Sequence, residues 1–193
     1  MGMGLETKGD TKELRKRILF LDLGRVTGWC DGHVNETPSS RVVILRKPSD
    51  DPALGIGKLA RELRDYVRTN GKPDILGVEK WMPLPASKND AATEDALRLN
   101  GAVHAVCGVY GIPVVEPAAS EIRKAVCGHA FGPGPKGDRG TKQMVLDTVL
   151  ALKLLPREAI EQGDSVFDRA DAVAGWQYVS ATMFGRMRFA LTA

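Results

Sequence analysis

Four carboxylates stand where a carboxylate needs a reason. Asp22 closes the apolar run Ile18–Leu21, and Glu79 closes the run PDILGV. Asp168 and Asp171 lie three apart in DRADAVAGW, a spacing that puts both on one face of a helix. That face also carries Ala172 and Gly175, small residues that let a helix approach a sheet closely. Like charges so arranged repel, and more so when buried. A hard divalent cation reverses the sign. Mg²⁺ takes oxygen ligands in octahedral geometry and keeps waters in its remaining positions. Two strand ends and one helix face can hold two such ions about 4 Å apart, the arrangement that stabilises both the attacking and the leaving oxygen in phosphodiester hydrolysis.

Each residue alone has a plainer reading. Asp22 can end its strand by bonding backbone amides in LDLGRVTG. Glu79 can pair with a core arginine, Asp168 can cap the last helix, and Asp171 can sit in a first turn favoured by the macrodipole. Those readings require four separate coincidences. A shared metal site requires one.

The elements that would position these groups follow from hydrophobic periodicity. Arg17–Leu23 reads as a buried strand, Gly24–Gly28 as a turn, Trp29–Cys30 as the start of a second strand and Arg41–Arg46 as a third. Apolar residues at helical spacing mark Ala53–Asn70, which Asn70-Gly71 ends. Pro73–Glu79 is a strand, Lys80–Asn89 a loop with two prolines, Ala91–Tyr110 a long helix, Ile112–Val115 a strand and Ala118–Val126 a short helix. Gly128–Gly140 holds five glycines and two prolines and predicts an irregular, mobile loop. Thr141–Leu155 is a helix with Thr141 near its N-cap, Pro156–Val166 a loop and Asp168–Phe184 a final helix. A hairpin pair followed by βα units predicts a mixed five-stranded α/β sheet, three strands antiparallel and the others parallel, with helices on both faces.

Composition limits the function classes. The chain has 193 residues, of which 43% are hydrophobic and 26% charged, as in a globular domain. The expectation is a disordered tail over residues 1–16 and a single domain over 17–185. Cys30, Cys107 and Cys127 form no CxxC pair, which argues against zinc and disulfides and fits a reducing cytosol. No signal-peptide pattern and no apolar run of about 18 residues is present, so no membrane partner is expected. The net charge of +3 is mild, but its distribution is uneven. Lys12, Arg15, Lys16 and Arg17 form one basic cluster, and Arg123, Lys124, Lys136, Arg139 and Lys142 another. Both suit a polyanion, and both also suit an ordinary solvated face.

In order along the chain, ILFLDLGRVTGW, ILGVEKW, VVEPAASEIRKAVCG, GPKGDRGTKQMVLDTV and DRADAVAGW resemble the motifs of the RuvC family of Holliday-junction resolvases. The first carries Asp22, Gly24, Thr27 and Gly28 at matching positions, and the likeness covers most of Arg17–Val179. It implies an RNase H-like fold and an acidic tetrad of Asp22, Glu79, Asp168 and Asp171. It further implies Mg²⁺ or Mn²⁺ as cofactor, a homodimer, and symmetric cutting of four-way DNA junctions in a bacterial or phage-infected cytosol. Lys142 matches a lysine near the scissile phosphate, where a cation stabilises developing charge. Arg123 or Lys124 matches a second basic position.

The family often places an aromatic after the glutamate. Trp81 or Met82 is the nearest here, Trp81 being suited either to stacking on an unpaired base or to capping the core. The Gly128–Gly140 loop is longer than the family leads one to expect. The long helix, with Leu97, Ala102, Val106 and Val109, serves either a dimer interface or the core. His129 reads as a solvated loop residue, and His33 and His104 receive no role.

Three other functions compete. A kinase-type ATPase has a phosphate hairpin resembling LDLGRVTG but needs a second lobe. The glycine-rich loop lacks the lysine-Ser/Thr pair of a phosphate loop, so no nucleotide cofactor is expected. A non-catalytic branched-DNA module would not need all four acids. A nuclease acting on flaps or forks would keep them.

Overall fold

Ile18, Leu19, Phe20 and Leu21 are each at most 1% exposed, so the strand they form, β1 (Arg17–Asp22), is covered on both faces. The computed structural model describes residues 16–81, 90–132, 138–163 and 165–184. Five strands pair in the order β3-β2-β1-β4-β5. β2 (Val26–His33) and β3 (Ser39–Ile44) form an antiparallel meander with β1. β4 (Ile75–Val78) lies parallel to β1, and β5 (Val114–Val115) parallel to β4.

Two helices cover one face, α1 (Pro52–Asn70) and α2 (Asp90–Tyr110). Leu19 and Leu21 meet Leu59, Leu63, Val103 and Cys107 there. The other face carries α3 (Ala119–Cys127), α4 (Asp138–Ala151) and α5 (Ser165–Phe184). Ile18 and Phe20 pack there with Val145, Val149, Ala172 and Val173. The expected mixed sheet with helices on both faces is what the chain forms.

α5 lies close against the sheet because three glycines leave room. A methyl group at Gly175 would stand 2.1 Å from the Phe20 ring, and one at Gly77 2.4 Å from the same ring. One at Gly28 would stand 1.9 Å from the Asp168 carbonyl oxygen. The small residues read from the sequence on α5 thus face the sheet, and β2 and β4 supply small residues opposite.

Several boundaries differ from expectation. β2 begins at Val26 because antiparallel pairing resumes as soon as the turn closes, with Val26 opposite Ile44 and Gly28 opposite Asp22. α4 starts at Asp138 and takes Gly140 into its first turn, so Thr141 is no cap. Its hydroxyl instead accepts a hydrogen bond from the Gly132 amide at 3.2 Å. α5 starts at Ser165, which puts Asp168 in the first turn and not at the cap. Residues 1–15, which hold Lys12, Arg15 and almost all of the expected tail, lie outside the described residues, as do Met82, Lys136 and the Arg139 side chain. No described helix is long and apolar enough to cross a membrane.

Candidate active site

Strand register brings the first two carboxylates together. β1 and β4 run parallel with Phe20 beside Gly77 and Leu21 beside Val78, so the next pair in register is Asp22 and Glu79. Alternation along the strands puts both on the face that Phe20 and Gly77 present to α5. The turn after Asp22 is held by Thr27, whose hydroxyl donates to the Gly24 carbonyl at 2.8 Å, so Asp22 is not needed to close it.

The helix delivers the second pair. Gly28, the cross-strand partner of Asp22, is where the α5 backbone touches down at Asp168. Asp171 follows three residues later on the same side. Electrostatics shows the four as one group. Burial pushes the Asp22 carboxyl well above its usual range, and the charges of Asp171, Glu79 and Asp168 push it further. Burial raises Glu79, with Asp171 adding to the effect and Arg123 and Lys142 opposing it. Asp171 is pushed up to about 6 by burial, against the pull of Lys142 and Arg123 and with the push of Asp168.

Two cations face these acids. The Lys142 Nζ on α4 stands 3.8 Å from Asp168 Oδ1. Arg123 on α3 is the basic residue of its pair that reaches the acids, since its charge acts on both Glu79 and Asp171. Lys124, one residue on, is exposed. The other expected basic cluster is elsewhere. Lys16 and Arg17 lie at the opposite end of β1, with Lys16 Nζ on Asp74 at 3.0 Å and Arg17 bridged to Asp31 at 2.5 Å. They do not belong to the acidic site.

A cleft of 190 Å³ opens beside the acids, lined by Asp22, Leu23, Glu79, Lys80, Trp81, Thr93 and Ala96. Trp81 is half-buried in its wall, which leaves both the stacking and the core-capping reading in place. Lys80 and Thr93 are wall residues that the sequence did not single out. Only the position of Lys80 next to Glu79 could have signalled it. His129 is exposed, as expected. Leu97 and Val109 are exposed on α2, whereas Ala102 and Val106 pack partly into the core, so these four do not share one face.

Four carboxylates opposed by two cations suit a hard divalent ion with oxygen ligands and waters. Asp22 and Glu79 line the cleft, and the charges of Asp168 and Asp171 reach Asp22 from α5. Among the described residues no three His, Cys, Asp or Glu side chains, as placed, are close enough together to enclose an ion.

Comparison with known proteins agrees with this architecture. Two sequences named crossover junction endodeoxyribonuclease RuvC, from two strains of Nitratidesulfovibrio vulgaris, are each 32% identical to this chain over 116 residues. The chain is homologous to RuvC. The match takes in 58% of this chain and 66% of the relatives' length, just under two thirds. No family model matches. Among solved structures, RuvC of T. thermophilus in complex with Holliday junction substrate superposes with a TM-score of 0.61 at 16% identity, over 88% of this chain and 96% of that one. The yeast mitochondrial Holliday junction resolvase Ydc2 gives 0.56 at 15% identity, over 86% and 80%. These likenesses establish the RNase H-like fold.

Proposed function

We propose that this chain is a metal-dependent endodeoxyribonuclease that resolves four-way DNA junctions. The observation that carries the reading is the convergence of Asp22, Glu79, Asp168 and Asp171, each raising or raised by another, in a chain homologous to RuvC. Carboxylates so crowded destabilise one another unless positive charge joins them.

Mg²⁺ or Mn²⁺, two ions in each site, would be held by these four residues and would supply a bound water of lowered pKa and polarisation of the phosphate. The remaining work falls to the chain itself. Lys142, beside Asp168, stabilises charge growing on the phosphate oxygens. Arg123 orients the same phosphate, its planar fork matching two oxygens at once. The carboxylates hold the attacking water in line and take up its proton. Trp81 and Thr93 border the path of the strand next to the cut. Basic residues 124, 136 and 139 add backbone contacts, and Met82 adjoins Trp81.

Symmetric cutting needs two sites, and we infer a homodimer. α2 supports this with an outward stripe of Leu97, Gly101 and Gly108, in which both glycines have open space beside them. Close helix approach is what such residues permit.

The test is incubation with labelled four-way, forked, flapped and linear DNA, with and without Mg²⁺. Paired nicks at symmetric positions of the four-way junction, absent without the metal, are expected. Equal cutting of forks or flaps would move the substrate to other branched DNA. Metal-dependent binding without cutting of any substrate would make the chain a recognition module.

A further inference from the structure

Exposed apolar side chains scattered over a surface are ordinary. Among the large ones described here, Ile44, Leu54, Leu97, Val109, Ile160 and Met183 carry no ring, and Phe131 alone is aromatic. It is 68% exposed. Its place in the chain sets it apart further. Phe131 lies between α3, which carries Arg123, and α4, which carries Lys142.

The backbone beside it is fastened to the start of α4. The Gly132 amide donates to Thr141 Oγ1 at 3.2 Å, and a methyl group at Gly132 would stand 2.4 Å from the Gly140 carbonyl oxygen. Thr141 directly precedes Lys142, whose ammonium faces Asp168. An uncovered ring is therefore held on a pinned stretch of backbone next to the cation that faces the acids. Trp81 lines the cleft beside Thr93 and Ala96 of α2, whereas Phe131 belongs to the connection between α3 and α4 on the other face of the sheet.

We propose that Phe131 is a base-stacking residue that takes an unpaired base of the strand whose phosphate lies at Lys142 and Arg123. The inference rests on the nuclease reading above and sharpens its substrate. A base beside a held phosphate is within reach of a ring beside the holding cation, and only an unpaired base offers its face. Every base has such a face, so the contact selects for local unpairing and not for sequence. Fully paired duplex gains nothing from it. Phe131 is a positioning residue and touches no reacting atom.

The test is a binding cycle in the Asp22→Asn background, which keeps the DNA intact. Four-way junctions are made with a normal base or an abasic site at each position flanking the cut. Phe131→Ala should weaken binding of the normal junction by about 5- to 100-fold, and should not weaken binding of the junction abasic at the stacked position. Phe131→Trp should restore the tight complex. Equal binding by Phe131→Ala and its parent would overturn the proposal. Equal weakening on normal and abasic junctions at every position would also overturn stacking. If the otherwise unaltered chain bound and cut no branched DNA, the nuclease reading would fall first and this proposal with it. Because Phe131 is exposed, thermal melting of the variant should match the parent, which separates lost contact from lost fold.

Discussion

The two ends of β1 hold the same kinds of residue under opposite physics. At the N-terminal end, Asp31 accepts from Arg17 Nε at 2.9 Å and from the Tyr66 hydroxyl at 2.5 Å, Arg17 stacks over the Tyr66 ring, and Asp74 receives Lys16 and the Arg17 amide. Burial would raise Asp74, but those two donors bring it below its ordinary value. At the C-terminal end, about 17 Å away for a six-residue strand, Asp22 is driven up by burial and by the carboxylates around it. The first end is matched charge, which stabilises the fold. The second is mismatched charge, tolerated by the fold and available for chemistry.

The sharpest way to break this comparison is to neutralise the crowded end. Asp22→Asn should cut hydrolysis below about a thousandth of the parent rate, as loss of a central catalytic group does, while melting temperature stays level or rises and junction binding persists. Single-turnover cleavage beside thermal melting checks both halves. A fully active variant would remove Asp22 from the site. Lys142→Ala should slow cleavage about 10²-fold, the scale of losing one donor that stabilises transition-state charge. A rate near the parent's would take Lys142 out of the chemistry.

How much of this contrast was legible beforehand differs by residue. Asp22 and Glu79 announced themselves because each ends an apolar strand, and parallel register then made them neighbours. Asp168 and Asp171 were legible from their spacing and from the small residues beside them. What lay hidden depended on tertiary distance. Lys16 and Arg17 looked like DNA-binding charge until folding set them beside Asp74 and Asp31, carboxylates 58 and 14 residues away. Arg123 and Lys124 were equivalent in the sequence, and only the orientation of α3 chose between them. Helix starts were misjudged at Thr141 and Asp168 because glycine and aspartate were read as boundary signals, whereas packing carried each helix one turn further.

A change at the contact between helix and sheet should disturb both properties together. Gly28→Ala drives a methyl group into the Asp168 carbonyl. Overpacking of this kind costs about 1–3 kcal/mol, and moving Asp168 away from Asp22 should lower cleavage as well. Denaturant melts and cleavage rates falling together would show that stability and site geometry share this contact. At the matched end, Asp31→Asn should cost about 2 kcal/mol, the scale of charge-assisted hydrogen bonds, with the cleavage rate of the folded protein unchanged.

The smallest effect is in the pH dependence of the metal-free protein, and its sign differs between the two ends. Asp171 titrates at about 6, above its unfolded value, and Asp22 and Glu79 are also raised. A raised carboxyl binds its proton more tightly when folded, so it destabilises the fold above that pH and the penalty lifts as pH falls through the folded value. Asp74 is lowered by the Arg17 amide and Lys16, so its contribution persists until pH falls into the ordinary carboxylate range and below. The stability of the protein without divalent ions should therefore rise as pH drops from 8 toward 5, by on the order of 1–2 kcal/mol, and fall again at lower pH, with the melting temperature following both changes. Asp22→Asn should flatten the rise and leave the acid-side fall in place. Divalent ions compete with the same protons, so added Mg²⁺ should raise melting temperature more at pH 8 than at pH 5.5. A Mg²⁺ shift independent of pH would separate the ion from these carboxylates.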